Sequence, residues 1–325
     1  MNHQRLLQLP KAELHVHLDG SLSQEFISRA ESREVERGEL SVSDDCTSLA
    51  EYLDKFTLPL KVLNTTENLK EAGLDFMKTC AAEHVLYTEV RFSPLSLTGP
   101  DMNAEQAIMA LLKGLEAGKK QYHVDFNVII CAMRHFQDEQ IRATLRAARE
   151  FLGNGVCCAD LAGDEAAFPN GNFRLLFEEA KKLDLPFVLH AGETGNPESV
   201  RDAIRMGAGR LGHGIAMKGA RDIEEEARER GCGIEMCPTS NFQTKAVSEK
   251  EGYPLREFLD LGLKVSINTD NRTVSNTTLT TELERAAELA DLTDDEIILL
   301  MKNAVLTSYA DDNIKEKLLS QLAKA

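Results

Sequence analysis

No lysine or arginine cluster, no Cys-x-x-Cys and no apolar run of membrane-spanning length occur in this chain of 325 residues. Each absence removes a class of function. Nucleic-acid backbones and anionic lipid both require a basic face, and a formal charge of −16, from 53 acidic against 37 basic residues, opposes either partner. The expected partner is a small neutral or cationic molecule, with no nucleic acid and no membrane. Seven cysteines, an odd number, with Cys157 and Cys158 adjacent in a strand-like run, argue against a disulfide framework and for a reducing compartment. Residues 1–10 lack the apolar core of a signal segment, so a cytoplasmic location is expected. Solenoid repeats, low-complexity tracts and linkers are also missing. With 42% hydrophobic content the chain reads as one domain over residues 1–325, able to bury a large core. The sequence sets no oligomeric state.

What is present is an alternation of short apolar runs with longer amphipathic ones. Strands are predicted at Ala12–Leu18, Val85–Phe92, Val124–Cys131, Gly155–Leu161, Pro186–His190, Arg210–Gly212, Gly233–Cys237 and Lys264–Asn268. Helix starts with capping-box spacing are Ser21-x-x-Gln24, Ser48-x-x-Glu51, Asn103-x-x-Gln106 and Thr293-x-x-Glu296. Strand followed by helix, repeated around a chain of this length, predicts an α/β fold of the (β/α)8 barrel type. Two additions are expected. A helical insertion lies between the first and second strands, with helices over Ser48–Phe56 and Thr66–Ala82 joined by the apolar Phe56–Leu60, and either it covers the site as a lid or its apolar residues only pack it down. Extra C-terminal helices, Thr293–Lys302 and Asn313–Leu322, close the chain.

His15 and His17 form a His-x-His pair on the first predicted strand, where residues two apart share a face and both imidazoles can reach one metal ion. His190, His213 and Asp270 each stand just past an apolar run and before polar or glycine-rich sequence, where a strand gives way to a loop. In the predicted barrel those positions fall on the catalytic, C-terminal face.

Taken in order, Leu14–Gly20 (LHVHLDG), Asp160–Glu165 (DLAGDE), His190–Glu193 (HAGE), Gly212–Gly214 (GHG), Cys237–Asn241 (CPTSN) and Asn268–Asp270 (NTD) resemble the adenosine deaminase family of metal-dependent amidohydrolases, over about residues 10 to 310. The resemblance implies one Zn2+ per chain, held by His15, His17, His190 and Asp270 with a position left for water; the same ligand set also suits other first-row divalent metals. It implies hydrolytic deamination of adenosine and 2′-deoxyadenosine to inosine and 2′-deoxyinosine, as in purine salvage. Glu193 is then the proton donor to purine N1, His213 the base and electrostatic partner beside the attacking water, and Asp270 a catalytic residue as well as a ligand. For Glu193 burial favours the protonated form and a nearby cation the ionised one. Substrate contacts are implied for His17, for Asp19 with the ribose 5′-hydroxyl, for Gly163 through its backbone N–H with N3, and for Asn271 with N7.

Asn271 departs from the second aspartate many relatives carry there, yet an amide N–H donates to N7 at any pH. Asp19 also fits helix capping, and Gly163 an ordinary turn. Adenine, a modified 6-aminopurine nucleoside, or a non-catalytic purine-binding role on the same barrel are the alternatives. Arg91 and Arg134 are expected in structural ion pairs under the insertion, and the Cys237–Asn241 loop is expected to shape the pocket without chemistry of its own. The His-x-Glu and Pro-Cys-x-x-Cys signatures of the cytidine-type zinc deaminases do not occur.

Overall fold

The computed structural model of the chain describes residues 1–43, 46, 49–248 and 252–325, with Leu49 and Ala50 described in backbone only. Eight parallel strands run β1 Lys11–His17, β2 Val85–Phe92, β3 Asp125–Met133, β4 Val156–Ala162, β5 Leu189–Ala191, β6 Arg210–His213, β7 Gly233–Met236 and β8 Lys264–Ile267. They pair in sequence order as β1-β2-β3-β4 and β5-β6-β7-β8. Single parallel bridges join the two halves, Ala159 to Phe187 on one side and Val16 to Asp270 on the other, so the sheet closes into a barrel. All eight predicted strands are present, with ends shifted by up to three residues; β5 begins at Leu189 rather than Pro186, since proline has no N–H to give a ladder.

A helix follows each strand. After β2 to β6 these are Ala104–Tyr122, Asp138–Phe151, Arg174–Lys182, Pro197–Met206 and Arg221–Arg230. The main apolar core is the layer between these helices and the outward side chains of the strands, such as Val16, Val90, Ile234 and Val265. Thr66–Ala82, which leads into β2, packs closely on Ala104–Tyr122 because Gly114 leaves room: a Cβ there would stand 2.0 Å from the Lys70 carbonyl oxygen. The capping boxes at Asn103 and Thr293 form as expected. The one expected at Ser21 does not: Ser23 caps Gln24–Ala30 by accepting from Phe26 N, and the Ser21 hydroxyl instead accepts from Arg272 N at 3.0 Å. Ser48 lies outside the described residues.

The insertion after β1 carries helices Gln24–Ala30, Arg37–Leu40, Leu49–Asp54 and Thr57–Val62 ahead of Thr66–Ala82. The apolar joint Phe56–Leu60 is thus largely helical. Tyr52 and Phe56 pack with Val42, Cys46 and Val274, tying the insertion to the loop after β8. The C-terminal helices run Asp294–Thr307 and Asp312–Leu322; the first is longer than expected, because Asn303 continues it and donates to the Val265 carbonyl of β8 at 3.0 Å. All seven cysteines are buried and none is in a disulfide. No helix among the described residues is long and apolar enough to cross a membrane.

Candidate metal centre and active site

The interior of the barrel is charged rather than oily. Arg210 pairs with Glu89 and, at 2.5 Å, with Glu235. Glu235 also accepts from Arg91 Nη2 at 2.8 Å, and Arg91 Nη1 reaches Asp160 at 2.8 Å. These five side chains are at most 1% exposed, so each charge is viable only because another neutralises it. Above them the two carboxylates take the inner nitrogens of two imidazoles: His15 Nδ1 donates to Glu235 Oε2 at 2.9 Å and His190 Nδ1 to Asp160 at 3.0 Å. A carboxylate accepts only, so each ring, in the neutral form a metal ligand needs, carries its hydrogen on Nδ1 and leaves Nε2 bare.

Those bare nitrogens converge. His17 Nε2 is 3.2 Å from His190 Nε2 and 3.4 Å from Asp270 Oδ1, which lies 3.5 Å from His15 Nε2. His15 Nε2 is buried without a hydrogen-bond partner. Among the described residues His15, His17, His190 and Asp270 form a group whose ligand atoms all lie within 4.8 Å of one another. Tetrahedral coordination at about 2.0–2.1 Å puts ligand atoms roughly 3.3 Å apart, and the three closest separations match that edge. The donor set therefore fits a zinc-like ion. Gly212 makes room for the His15 ring, since a Cβ there would stand 2.9 Å from His15 Cε1. Burial raises the pKa of Asp270, but the His15 hydrogen bond and the neighbouring imidazoles hold it well below the usual carboxylate range. Ser240 Oγ donates to its other oxygen at 2.6 Å.

A cavity of about 560 Å3 opens above this group and is lined by all the sequence-selected residues except His15, which is fully buried at the floor. Glu193 Oε2 lies 3.4 Å from His213 Nε2. Burial raises the Glu193 pKa to about 7, with His190 opposing and Glu165 and Asp270 assisting. His213 is held well below the usual imidazole range, first by burial and then by His15, so its ring is neutral. Burial lifts Asp19 to about 6, and its Oδ1 has no hydrogen-bond partner. Gly163 adopts φ +104°, a conformation that favours glycine. Asn271 gives one amide N–H to the Tyr52 hydroxyl at 2.9 Å.

Several participants escaped the sequence reading. Arg91 forms the structural ion pairs expected of it, but with Asp160 and Glu235 beneath the histidines, whereas Arg134 has no ion pair among the described residues and donates instead to the carbonyls of Phe168 and His190. The loop after β7 supplies more than shape, because Asn241 Nδ2 lies 3.0 Å from His213 Nδ1 while Tyr253 donates to Asn241 Oδ1 at 3.0 Å. An acidic residue inside an apolar strand, such as Glu235 in Gly233-Ile234-Glu235-Met236, is the signal that points to such partners.

Comparison with known proteins agrees with this architecture. An adenosine deaminase from Enterococcus faecalis is 39% identical over 330 residues, covering 99% of this chain and 98% of that protein. Among solved structures, the N6-mAMP deaminase of Arabidopsis superposes with a TM-score of 0.88 at 23% identity, over 99% of this chain and 100% of the other. An amidohydrolase from Burkholderia ambifaria with bound Zn gives 0.86 at 18% identity, over 99% and 95%. At those identities the structures establish the (β/α)8 barrel alone. The family model described as Adenosine deaminase matches residues 10–325, and on that match and the curated relative's likeness the chain belongs to the adenosine deaminase family.

Proposed function

We propose that the chain, as one catalytic domain, hydrolyses adenosine and 2′-deoxyadenosine to inosine and 2′-deoxyinosine with release of ammonia. The observation that carries this reading is the convergence of four ligand atoms at the floor of a cavity that also holds Glu193 and His213. Zinc bound by His15, His17, His190 and Asp270 supplies a Lewis acid that lowers the pKa of water toward about 7. The Burkholderia protein's bound Zn and the nitrogen-rich donor set both favour zinc.

The remaining chemistry belongs to the side chains. Glu193, held near neutral pKa by burial, gives its proton to purine N1 and makes C6 electrophilic. The oxygen of a water molecule then adds at C6 while the proton that water releases passes to the 6-amino group; the C6–N bond breaks, ammonia leaves, and the hydroxyl proton left at C6 returns to Glu193, giving the N1–H, C6=O product. His213 faces that oxygen. With Nδ1 taken by the Asn241 amide N–H, the neutral ring carries its hydrogen on Nε2 and donates to the developing negative charge; with the Asn241 amide turned over, Nε2 accepts a proton instead. Asp19 Oδ1, a buried acceptor in need of a donor, suits the ribose 5′-hydroxyl. The second amide N–H of Asn271 suits N7, and the backbone N–H of Gly163, which lines the cavity, suits N3. Tyr52, Leu53, Phe56 and Leu60 of the insertion line the cavity and exclude water from it.

A nucleoside is favoured over a nucleotide. No lysine or arginine is among the described lining residues, whereas Asp19, Asp164, Glu165, Glu193 and Asp270 are, and a 5′-phosphate would find no counter-charge. Asp19 favours a nucleoside over free adenine. Loss of adenosine absorbance, followed with and without a chelator and alongside elemental analysis, tests the reading: turnover that vanishes on chelation and returns with zinc is expected. Full turnover in metal-free protein, or no turnover in zinc-loaded protein, overturns it.

A further inference from the structure

Glu165 is a charged side chain that no step above uses. It stands two residues past Gly163 in the loop after β4, is 1% exposed, and lines the same cavity. Its hydrogen bonds all run to another loop, the turn after β5. Gly192 N donates to its two oxygens at 2.8 and 2.9 Å, Glu193 N donates to Oε2 at 2.9 Å, and Thr194 Oγ1 donates to Oε2 at 3.3 Å. Consecutive backbone N–H groups closing on one anion form a nest, and a buried carboxylate in a nest makes charge-assisted bonds that fix the peptides supplying them. Gly192 permits the turn: its φ is +84°, and a Cβ would meet Val200 Cγ2 at 2.6 Å.

The peptide preceding this turn is fixed from the other side. The His190 carbonyl accepts from Arg134 Nη2 at 2.7 Å and from Asn170 Nδ2 at 2.9 Å. The β5 end is thus gripped at a carbonyl just before the turn and at two amides within it. The Glu193 Cα, which carries its side chain into the cavity, is bonded directly to the last of these amides. That side chain has one close polar neighbour among the described residues, the neutral His213 ring with its Nε2 at 3.4 Å, and no charged partner. Its aim therefore depends on the peptide beneath it.

We propose that Glu165 is a positioning residue for Glu193, fixing the Gly192–Glu193 peptide so that the proton donor stays directed at the purine. The inference rests on the reading of Glu193 as that donor. Without Glu165 the two buried amides lose their acceptor and the turn must relax toward water or other partners. A shift of about 1 Å in a reacting group costs up to roughly 100-fold in rate, while contacts made by other loops to the ground-state ligand are spared.

The test is E165Q, which keeps the volume but offers one acceptor oxygen and an amide that faces the N–H groups. Its kcat falls roughly 10- to 100-fold, with KM for adenosine, affinity for inosine and zinc content each within about twofold of the parent. Affinity for a nucleoside analogue bearing a tetrahedral hydroxylated carbon at the C6 position falls by the same factor as kcat, and adding E165Q to E193Q weakens that analogue no further. Equal losses of analogue binding in both backgrounds, or a loss carried by KM or zinc content, overturns the proposal. Where E165Q does not fold, E165D keeps the charge and draws the acceptors back by one methylene; a parental kcat in E165D overturns the proposal equally. Near-parental turnover in E193Q removes the reading of Glu193 itself, whereas an inactive E193Q beside a fully active E165Q removes only the role of Glu165.

Discussion

Asp160 and Glu235 are fully buried acids that share their charge, Asp160 between Arg91 and His190, and Glu235 among Arg91, Arg210 and His15. That sharing explains how two of the imidazoles, His15 and His190, can be presented with bare nitrogens. Without Glu235 the His15 ring loses the group that fixes its tautomer, and without Arg91 both carboxylates lose a counter-charge in a place where ions are costly. The four residues whose ligand atoms converge were legible in the sequence, because His-x-His and isolated His or Asp at strand ends leave a local mark. Their supports were not, since the pairs join positions far apart in the chain, such as Arg91 with Glu235, and no local pattern encodes them. The sharpest residue-scale expectation concerns Glu193. E193Q keeps shape and hydrogen bonding but has no proton to give at N1, so kcat drops by about 100-fold or more with the zinc content unchanged, a split read by steady-state kinetics beside elemental analysis. D270A removes activity by depleting the metal, and the same analysis separates the two routes.

At the scale of elements, strand order and the helices after β2 to β6 follow from hydrophobic period, and Thr66–Ala82 has the limits its pattern indicates. The Ser21 cap failed because Ser23 has a better alternative: its N–H and hydroxyl both donate to Asp75, which seats it at the helix start. The insertion's relation to the site was not written locally either. Tyr52 joins them, since its hydroxyl contacts Asn271 Nδ2 at 2.9 Å and Ser275 Oγ at 2.8 Å. If Asn271 contacts N7, Y52F loosens that amide and the covering helix together, and KM for adenosine rises roughly 5- to 30-fold, the worth of about 1–2 kcal/mol, with zinc content unchanged. A changed zinc content and an unchanged KM would sever the insertion from substrate binding.

A second element-scale expectation comes from Glu282, on the helix Leu279–Ala290. It accepts from Thr239 N at 3.0 Å and from Thr277 Oγ1 at 2.6 Å, and so anchors the start of the short helix Pro238–Gln243 that bears Ser240 and Asn241. Burial raises its pKa from 4.5 to about 7 in spite of those bonds. A carboxyl raised in the folded state binds its proton more tightly there, so its stabilising effect is complete below about pH 4.5 and is lost as pH climbs through 7. E282Q abolishes this dependence. The stability of the parent relative to E282Q should decline by on the order of 3 kcal/mol between pH 4.5 and 8, measured by urea unfolding with zinc in excess. A difference that stays flat across that range would mean Glu282 is ionised throughout.

For the whole molecule, the composition that argued against nucleic acid also bears on substrate choice, because the excess of acid reaches the cavity wall. Two effects oppose a 5′-phosphate and they respond differently to salt. The field of a chain with net charge −16 acts through solvent and is screened beyond about 8–10 Å at 0.1–0.15 M ionic strength, so it slows the approach of AMP chiefly in dilute buffer. The cavity effect is local: a dianion placed near Asp19 and Asp164 sheds water without gaining a cationic partner, and added salt does not enter to replace one. The N6-mAMP deaminase of Arabidopsis shares the barrel, so the fold itself does not decide between nucleoside and nucleotide. The expected kcat/KM for AMP is at least about 1,000-fold below that for adenosine, a cost of roughly 4 kcal/mol or more. Raising salt from 20 to 500 mM should narrow that ratio by no more than about tenfold. AMP turnover within tenfold of adenosine, or a ratio that collapses at high salt, would place the selectivity in the outer field and leave the acidic lining without the role assigned to it.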